Sequence, residues 1–396
     1  MRNKRSWGVA AALLLGTMAL AALAGATRDG AAATRPAIVI GWAFDSRGNM
    51  APFDGPALAA ARIHVRRINA RGGVNGRPIR IDTCDTNNNN PTRAKSCARR
   101  LLSRGAHVLF VTCDVDFATP VVQEAINRGK LAIAPCIGTD QMGPKRFGRV
   151  RGRLAFSFGN VAQDEGSAMA EYAIRRGWRT AGLGTNNLLV YFKNVVEAFE
   201  RRYVQLGGRI VARESYATGA NNVQTAVNRL NQRRAAVYVT STAFGELPAF
   251  VSGFRALGNQ TPVLNSWAGD GTYWVTQNPR ITNYYAVTYA SVFGDDPNPA
   301  VRRLAVQVRA ATGGFVAGPA AIDGLVTAIR RANGSTRGAA LATQMERFRR
   351  VRTISGNVSF SRRLHTVFGR AYRVIQVHNN RGRRVGMVTA RVVPQI

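Results

Sequence analysis

The side chains able to do covalent or metal chemistry are few in this chain and far apart. Its four histidines, His64, His107, His365 and His378, share no motif. The zinc-peptidase spacing H-E-x-x-H is absent, as are a G-x-S-x-G nucleophile elbow and a phosphate-cradling P-loop. Gly182-Leu183-Gly184 follows an apolar run, but the third glycine of a dinucleotide fingerprint is replaced by Asn187. Asp85-Thr86-Asn87-Asn88-Asn89 starts like a calcium loop. Its sixth place is Asn90 and its twelfth Ser96, where such a loop needs Gly and Glu. It reads instead as an Asn-rich turn capping the next helix. The expectation is a protein that is not an enzyme and needs neither cofactor nor metal.

The loops carrying these residues sit in a repeating pattern of strand, helix and turn. Residues 66–92 show it best: a helix ending RRINARGGVNGRP, then IRIDTCDTNNNNPT. Gly72 and Gly73 supply the positive φ that ends a helix, and Asn75-Gly76 can form the next turn. Ile79 and Ile81 alternate with arginine and aspartate as a strand does. Strands are expected at 37–42, 79–83, 108–112 and 131–134, each followed by a helical pattern. The Gly/Arg-rich span 143–153 reads as a lobe boundary. A second series then starts at 154–158, with strands at 180–183, 209–213, 236–240, 262–264 and 283–288. Residues 299–348 read as helical, with breaks at Gly313-Gly314 and Asn333-Gly334, and 356–393 as strands and turns. Right-handed crossovers make each series a parallel sheet with helices on both faces: an α/β chain of two doubly wound lobes. Ligands of such sheets bind beyond the C-terminal ends of the strands.

A chain of 396 residues with 46% apolar and 19% charged residues has the composition of a two-domain globular protein. Residues 1–26 differ from the rest. A basic start, Met1-Arg2-Asn3-Lys4-Arg5, precedes an Ala/Leu-rich run, and Ala24-Gly25-Ala26 offers a small-residue cleavage site. This reads as a signal peptide, which places the protein in the periplasm or cell envelope. An uncleaved anchor is the other reading, since the run is long enough to span a bilayer. The four cysteines of an exported chain are expected to be oxidised. Of three possible pairings, Cys84–Cys97 and Cys113–Cys136 is the reading taken: the first pair flanks one loop and its helix, and the second ends two neighbouring strands. Zinc is the alternative, but no C-x-x-C pair is present and no His lies nearby.

The net charge of +34 comes from 50 arginines and five lysines against 21 acidic residues. Such a balance raises the question of nucleic acid. The arginines, however, are scattered singly and in pairs, with no basic block interleaved with base-stacking aromatics. Nucleic acid is therefore not an expected partner, and polyanion binding stays a minor alternative, testable by salt titration.

The phrases GNMAPFD (48–54), INARGGVNGRP, DTNNNNPTRA and VLFVTCDVDFATPVVQEA resemble the opening lobe of type I periplasmic solute-binding proteins, the leucine/isoleucine/valine-binding family of ATP-binding-cassette importers. YFKNVVEAFERRYVQLGG (191–208), AVYVT (236–240) and GNVSFSRRLHTVFGRAYRVIQVHNNRG follow in matching order, so the resemblance covers about residues 36–385. It implies two lobes joined by three crossings: an N-lobe of 36–154 plus 290–350 and a C-lobe of 155–289 plus 351–396. It also implies a monomer that closes on a small solute and hands it to a membrane permease. A ligand-sensing module of the same fold, reporting to a receptor, is the alternative.

Carried over position by position, the resemblance places Phe53 over the ligand, and Asp114 and Asp116 where amino-acid binders keep a serine-rich grip on the ligand carboxylate. Thr139 matches the second gripping site. Tyr191 and Phe244 match aromatics of the other lobe, Trp267 aligns where a carboxylate is usual, and Asp270 is displaced from that place. Helix N-capping and surface turns are the plain structural alternatives for the aspartates. Carboxylates in place of serines would repel a solute carboxylate in a desolvated cleft. The expected solute is therefore small, polar and amino-acid-like, with an amide, cationic or aromatic character.

Overall fold

The computed structural model describes residues 35–393, and the expected signal peptide lies outside them. The first sheet is built from β1 (Ile38–Phe44), α1 (Ala51–Asn69), β2 (Ile79–Asp85), α2 (Pro91–Ser103), β3 (Val108–Phe110), α3 (Val115–Asn127), β4 (Leu131–Ala134) and β5 (Ala155–Asn160). The four pairings among these strands are all parallel. Alternation along β1 shows why both faces are covered. Ile38, Ile40 and Trp42 enter one apolar cluster with Leu58 and Ala61 of α1; Val39 and Ala43 enter another with Leu101 of α2 and Val122 of α3.

The second sheet follows as α4 (Ala162–Arg175), β6 (Thr180–Asn186), α5 (Val190–Gln205), β7 (Arg209–Tyr216), α6 (Ala220–Asn231), β8 (Val237–Ser241), α7 (Glu246–Ala256), β9 (Val263–Asn265) and β10 (Tyr284–Thr288). Next come α8 (Pro299–Val308), α9 (Ala317–Arg331) and α10 (Gly338–Met345). The strands β11 (Val351–Thr353), β12 (Gly356–Val358), β13 (Thr366–Val367), β14 (Tyr372–His378) and β15 (Arg381–Val388) end the chain. The sheet orders are β13-β5-β4-β3-β1-β2 and β15-β14-β10-β9-β8-β6-β7, with β11 and β12 forming a separate hairpin.

Three sequence expectations need correction. Residues 155–160 do not open the second series. Buried throughout, β5 pairs with β4 in the first sheet, and 143–153 is only the connection leading to it. Residues 351–367 also belong with the first lobe, because Val351, Val358, Phe360 and Val367 pack into the cluster that holds α1 and α9. The second sheet is mixed rather than wholly parallel, since β14 pairs antiparallel with β10 and β15 antiparallel with β14. The chain therefore leaves the first sheet after β5, returns through α9, and leaves it again after β13.

Candidate functional site

The C-terminal ends of both sheets meet at an aromatic cavity. It is lined by Met50, Phe53, Cys113, Asp114 and Gly138 from the first lobe, and by Leu189, Tyr191, Phe192, Ala243, Phe244, Trp267 and Ala268 from the second. The space between these side chains is about 310 Å³. The Phe53 ring stands edge-on to three rings of the opposite lobe, with centroids 5.1 Å from Trp267, 5.8 Å from Tyr273 and 6.3 Å from Phe244. Gly138 makes room for the approach: a Cβ there would lie 2.6 Å from the Tyr191 ring. The lobes are thus in contact through aromatic side chains.

Buried carboxylates hold the loops that carry these rings. Asp45 accepts from the backbone N–H groups of Arg47, Gly48, Met50 and Asn88, fixing the turn into α1. That turn meets Asn87, Asn88 and Asn89, all in the left-handed region at φ 52°, 58° and 53°, a conformation asparagine tolerates better than most residues. Asp54 joins two loops, accepting from Asp45 N at 2.8 Å and Cys113 N at 3.0 Å. Burial pushes its carboxyl up to about 7. Cys113 and Cys136 form a disulfide with Cα atoms 4.9 Å apart, tying the β3 loop to the β4 loop beside the cavity. Cys84 and Cys97 form the other bridge.

The predicted residues divide into two groups. Phe53, Asp114, Tyr191, Phe244 and Trp267 come together on the cavity wall. Asp114 is also the N-cap of α3, its Oδ1 accepting from the backbone of Asp116 at 2.8 Å and Phe117 at 3.2 Å. Burial, with the charge of Asp116 beside it, raises the Asp114 carboxyl to about 7.

The other three do not line the cavity. Asp116, in the first turn of α3, faces Arg146 at 2.8 Å near the surface. Thr139 is fully buried and spans elements: its carbonyl accepts from Thr366 Oγ1 at 2.7 Å, and its hydroxyl lies 3.4 Å from Asn194 Oδ1. Asp270 accepts from Gly313 N at 2.7 Å and from the Thr288 hydroxyl, pinning the return segment after β10. Its carboxyl is raised to about 7 by burial.

Sequence reasoning missed Glu165. In the first turn of α4 it is fully buried; Oε2 accepts from the Tyr191 hydroxyl at 2.8 Å and Oε1 from Trp267 N at 2.6 Å. It therefore sets the positions of two cavity walls at once. Burial lifts its carboxyl to about 8. Among the described residues no group of three or more His, Cys, Asp or Glu side chains could hold a metal ion.

Two α/β sheets facing each other across a closed aromatic cavity, with three chain crossings between them, define a two-lobed small-molecule-binding protein. Residues 37–383 match the family model described as periplasmic binding protein, and the chain belongs to that family. Among solved structures, the substrate-binding protein LivJ of Streptococcus pneumoniae, in complex with isoleucine, is similar with a TM-score of 0.75. It is 18% identical over 89% of this chain and 99% of its own. A leucine-binding protein of Thermotoga maritima is similar with a TM-score of 0.74 and 15% identity, over 89% of this chain and 99% of its own. A Rhodopseudomonas palustris solute-binding protein in complex with benzoate gives 0.73 and 18% identity, over 91% and 98%. At such identities the likeness speaks for the fold.

Proposed function

We propose that this protein is the exported solute-capturing subunit of an ATP-binding-cassette importer, holding a small flat-bodied solute with an amide or ammonium head. The observation that carries the ligand class is the wall itself: four of its lining side chains are rings from the second lobe, opposed by Phe53, and Asp114 is its one ionisable carboxyl. Rings of this kind take an apolar or aromatic body, and cations are drawn to their faces. A helix N-terminus pointing into a cleft would normally receive a carboxylate. Here Asp114 already occupies the first-turn N–H groups of α3 through Oδ1, so its Oδ2 is the atom offered to the solute. That atom suits a hydrogen-bond donor. Family membership and the similar structures, whose ligands include isoleucine and benzoate, support capture of a small organic solute.

A thermal-shift and calorimetric panel of isoleucine, benzoate, benzamide and phenethylamine tests the ligand class. A ligand at a hundred times its Kd adds about 2.7 kcal/mol of stability by mass action. Benzamide and phenethylamine should bind, and Asp114→Asn, which keeps the helix cap, should weaken the amine more than the amide. Binding of benzoate alone would overturn the assignment of the head group. Scattering profiles that do not contract with any binding solute would overturn the clamp.

A further inference from the structure

A basic recess of about 700 Å³, open to solvent, lies at the end of the first lobe away from the aromatic cavity. Lys145, Arg149 and Arg153 line it from the connection between β4 and β5, and Arg362 and Arg363 from the turn ahead of β13. Because β13 runs parallel to β5 and strand C-termini face the cavity, residues just before these strands sit at the opposite end. The acidic residues nearby are already engaged. Glu346 on the floor is held through both oxygens by Arg153, at 2.7 and 2.9 Å. Behind it His365 is locked, its Nδ1 2.9 Å from the Ala155 carbonyl and its ring stacked on Phe156 at 3.9 Å. Lys145 pairs with Asp140 at 2.7 Å.

Arg149, Arg362 and Arg363 remain exposed, and among the described residues none of them is bridged to a carboxylate. Between Arg149 and Arg151 stands Val150, 84% exposed, the most exposed large apolar side chain among the described residues. Outward guanidinium groups around an apolar side chain fit an anionic interface with a hydrocarbon layer beneath it. A soluble anion would gain nothing from Val150. We propose that this face of the first lobe docks on an anionic lipid surface, with Arg149, Arg362 and Arg363 taking headgroup phosphates and Val150 entering the boundary below them.

The test is co-sedimentation of the full chain with phosphatidylcholine vesicles, with and without phosphatidylglycerol, at physiological salt. Each surface arginine contributes about 1 kcal/mol of attraction, so reversing three should lower partitioning about a hundredfold or more. The variant is R149E/R362E/R363E. Its charge-matched control is R209E/R233E/R234E, exposed positions at the outer end of the second lobe. Val150→Ser, which removes the apolar contact without changing charge, should weaken vesicle binding and leave any response to inorganic phosphate unaltered. Equal losses in the two triple variants would overturn the proposal in favour of diffuse attraction by the +34 chain. So would saturable binding of inorganic phosphate lost only in the first triple variant, or vesicle binding insensitive to Val150→Ser.

Discussion

Glu165→Gln should change the pH dependence of folding more than the stability itself. In the folded protein the carboxyl is raised from its ordinary 4.5 to about 8, chiefly by burial. Between those values the native state holds the proton and the unfolded chain does not. Stability therefore falls as pH rises from about 4.5 to 8, with a limiting slope of about 1.4 kcal/mol per pH unit from this one group. Glutamine copies the protonated acid without titrating: its carbonyl can accept from Trp267 N and its amide can face the Tyr191 oxygen. At pH 5 the variant should lie within about 1 kcal/mol of the parent, the scale of one exchanged hydrogen bond. At pH 9 it should be the more stable protein, by up to a few kcal/mol. Glu165→Ala, by contrast, strands two buried donors and opens a cavity, costing about 3–6 kcal/mol even at pH 5. Urea melts from pH 4.5 to 9 read both effects. Parent and Gln curves that stay parallel across the range would refute the assignment of the raised carboxyl to Glu165.

Further outcomes follow from the contacts around the cavity. Gly138→Ala should lower affinity for any cleft ligand about tenfold or more, because the new Cβ meets the Tyr191 ring at 2.6 Å across the lobes; it also meets the Asn160 carbonyl of its own lobe at 3.0 Å, so stability should fall by about 1–2 kcal/mol as well, and calorimetry beside melting curves separates the two. Replacing Cys113 and Cys136 by serine removes a cross-link over 23 residues, worth about 3 kcal/mol on the chain-entropy account. Ligand affinity should fall as well, since the bridge fixes the loops bearing Asp114 and Gly138; a variant that loses stability but binds unchanged would reject that role. Arg153→Met should destabilise by about 1–2 kcal/mol, since Glu346 loses a bidentate partner that is itself half exposed in a solvent-open, arginine-rich recess, and chemical denaturation would show it.

How much of this was legible in the sequence depends on how local the signal is. The β-α repeats of the first lobe could be read because Gly72-Gly73 and Asn75-Gly76 stop one helix and Ile79-Ile81 start the next strand within a few residues. Phe53, Asp114, Tyr191, Phe244 and Trp267 were within reach because each follows closely on a strand end. Asp116 was not separable from Asp114 by type. Only the geometry of the α3 cap turns one to the cavity and the next but one to Arg146. Glu165 carries no distinguishing mark, because an acid in a helix's first turn is what the helix dipole alone would favour. Its role comes from Tyr191 and Trp267, which lie 26 and 102 residues further along. The lobe boundary failed for a related reason: a Gly/Arg-rich connection looks like a linker whether it joins two lobes or two strands of one sheet. The two residues of β13 are too few to carry any periodicity.

The few acids and many arginines of this chain do separate work. Asp54, Asp114, Asp164, Glu165 and Asp270 all carry carboxyls raised by burial, and each accepts at least one backbone N–H. A buried carboxyl is an economical tie for a loop, since it can gather several orphan N–H groups at one point without a strand partner. Used this way, five of the 21 acidic residues are withdrawn from the surface around the cavity and the crossings. What remains outside is dominated by arginine, and the net charge near neutral pH exceeds the formal +34 of the sequence wherever those carboxyls hold their protons. The same placement that shapes the solute cavity therefore strengthens the cationic exterior on which docking to an anionic surface depends.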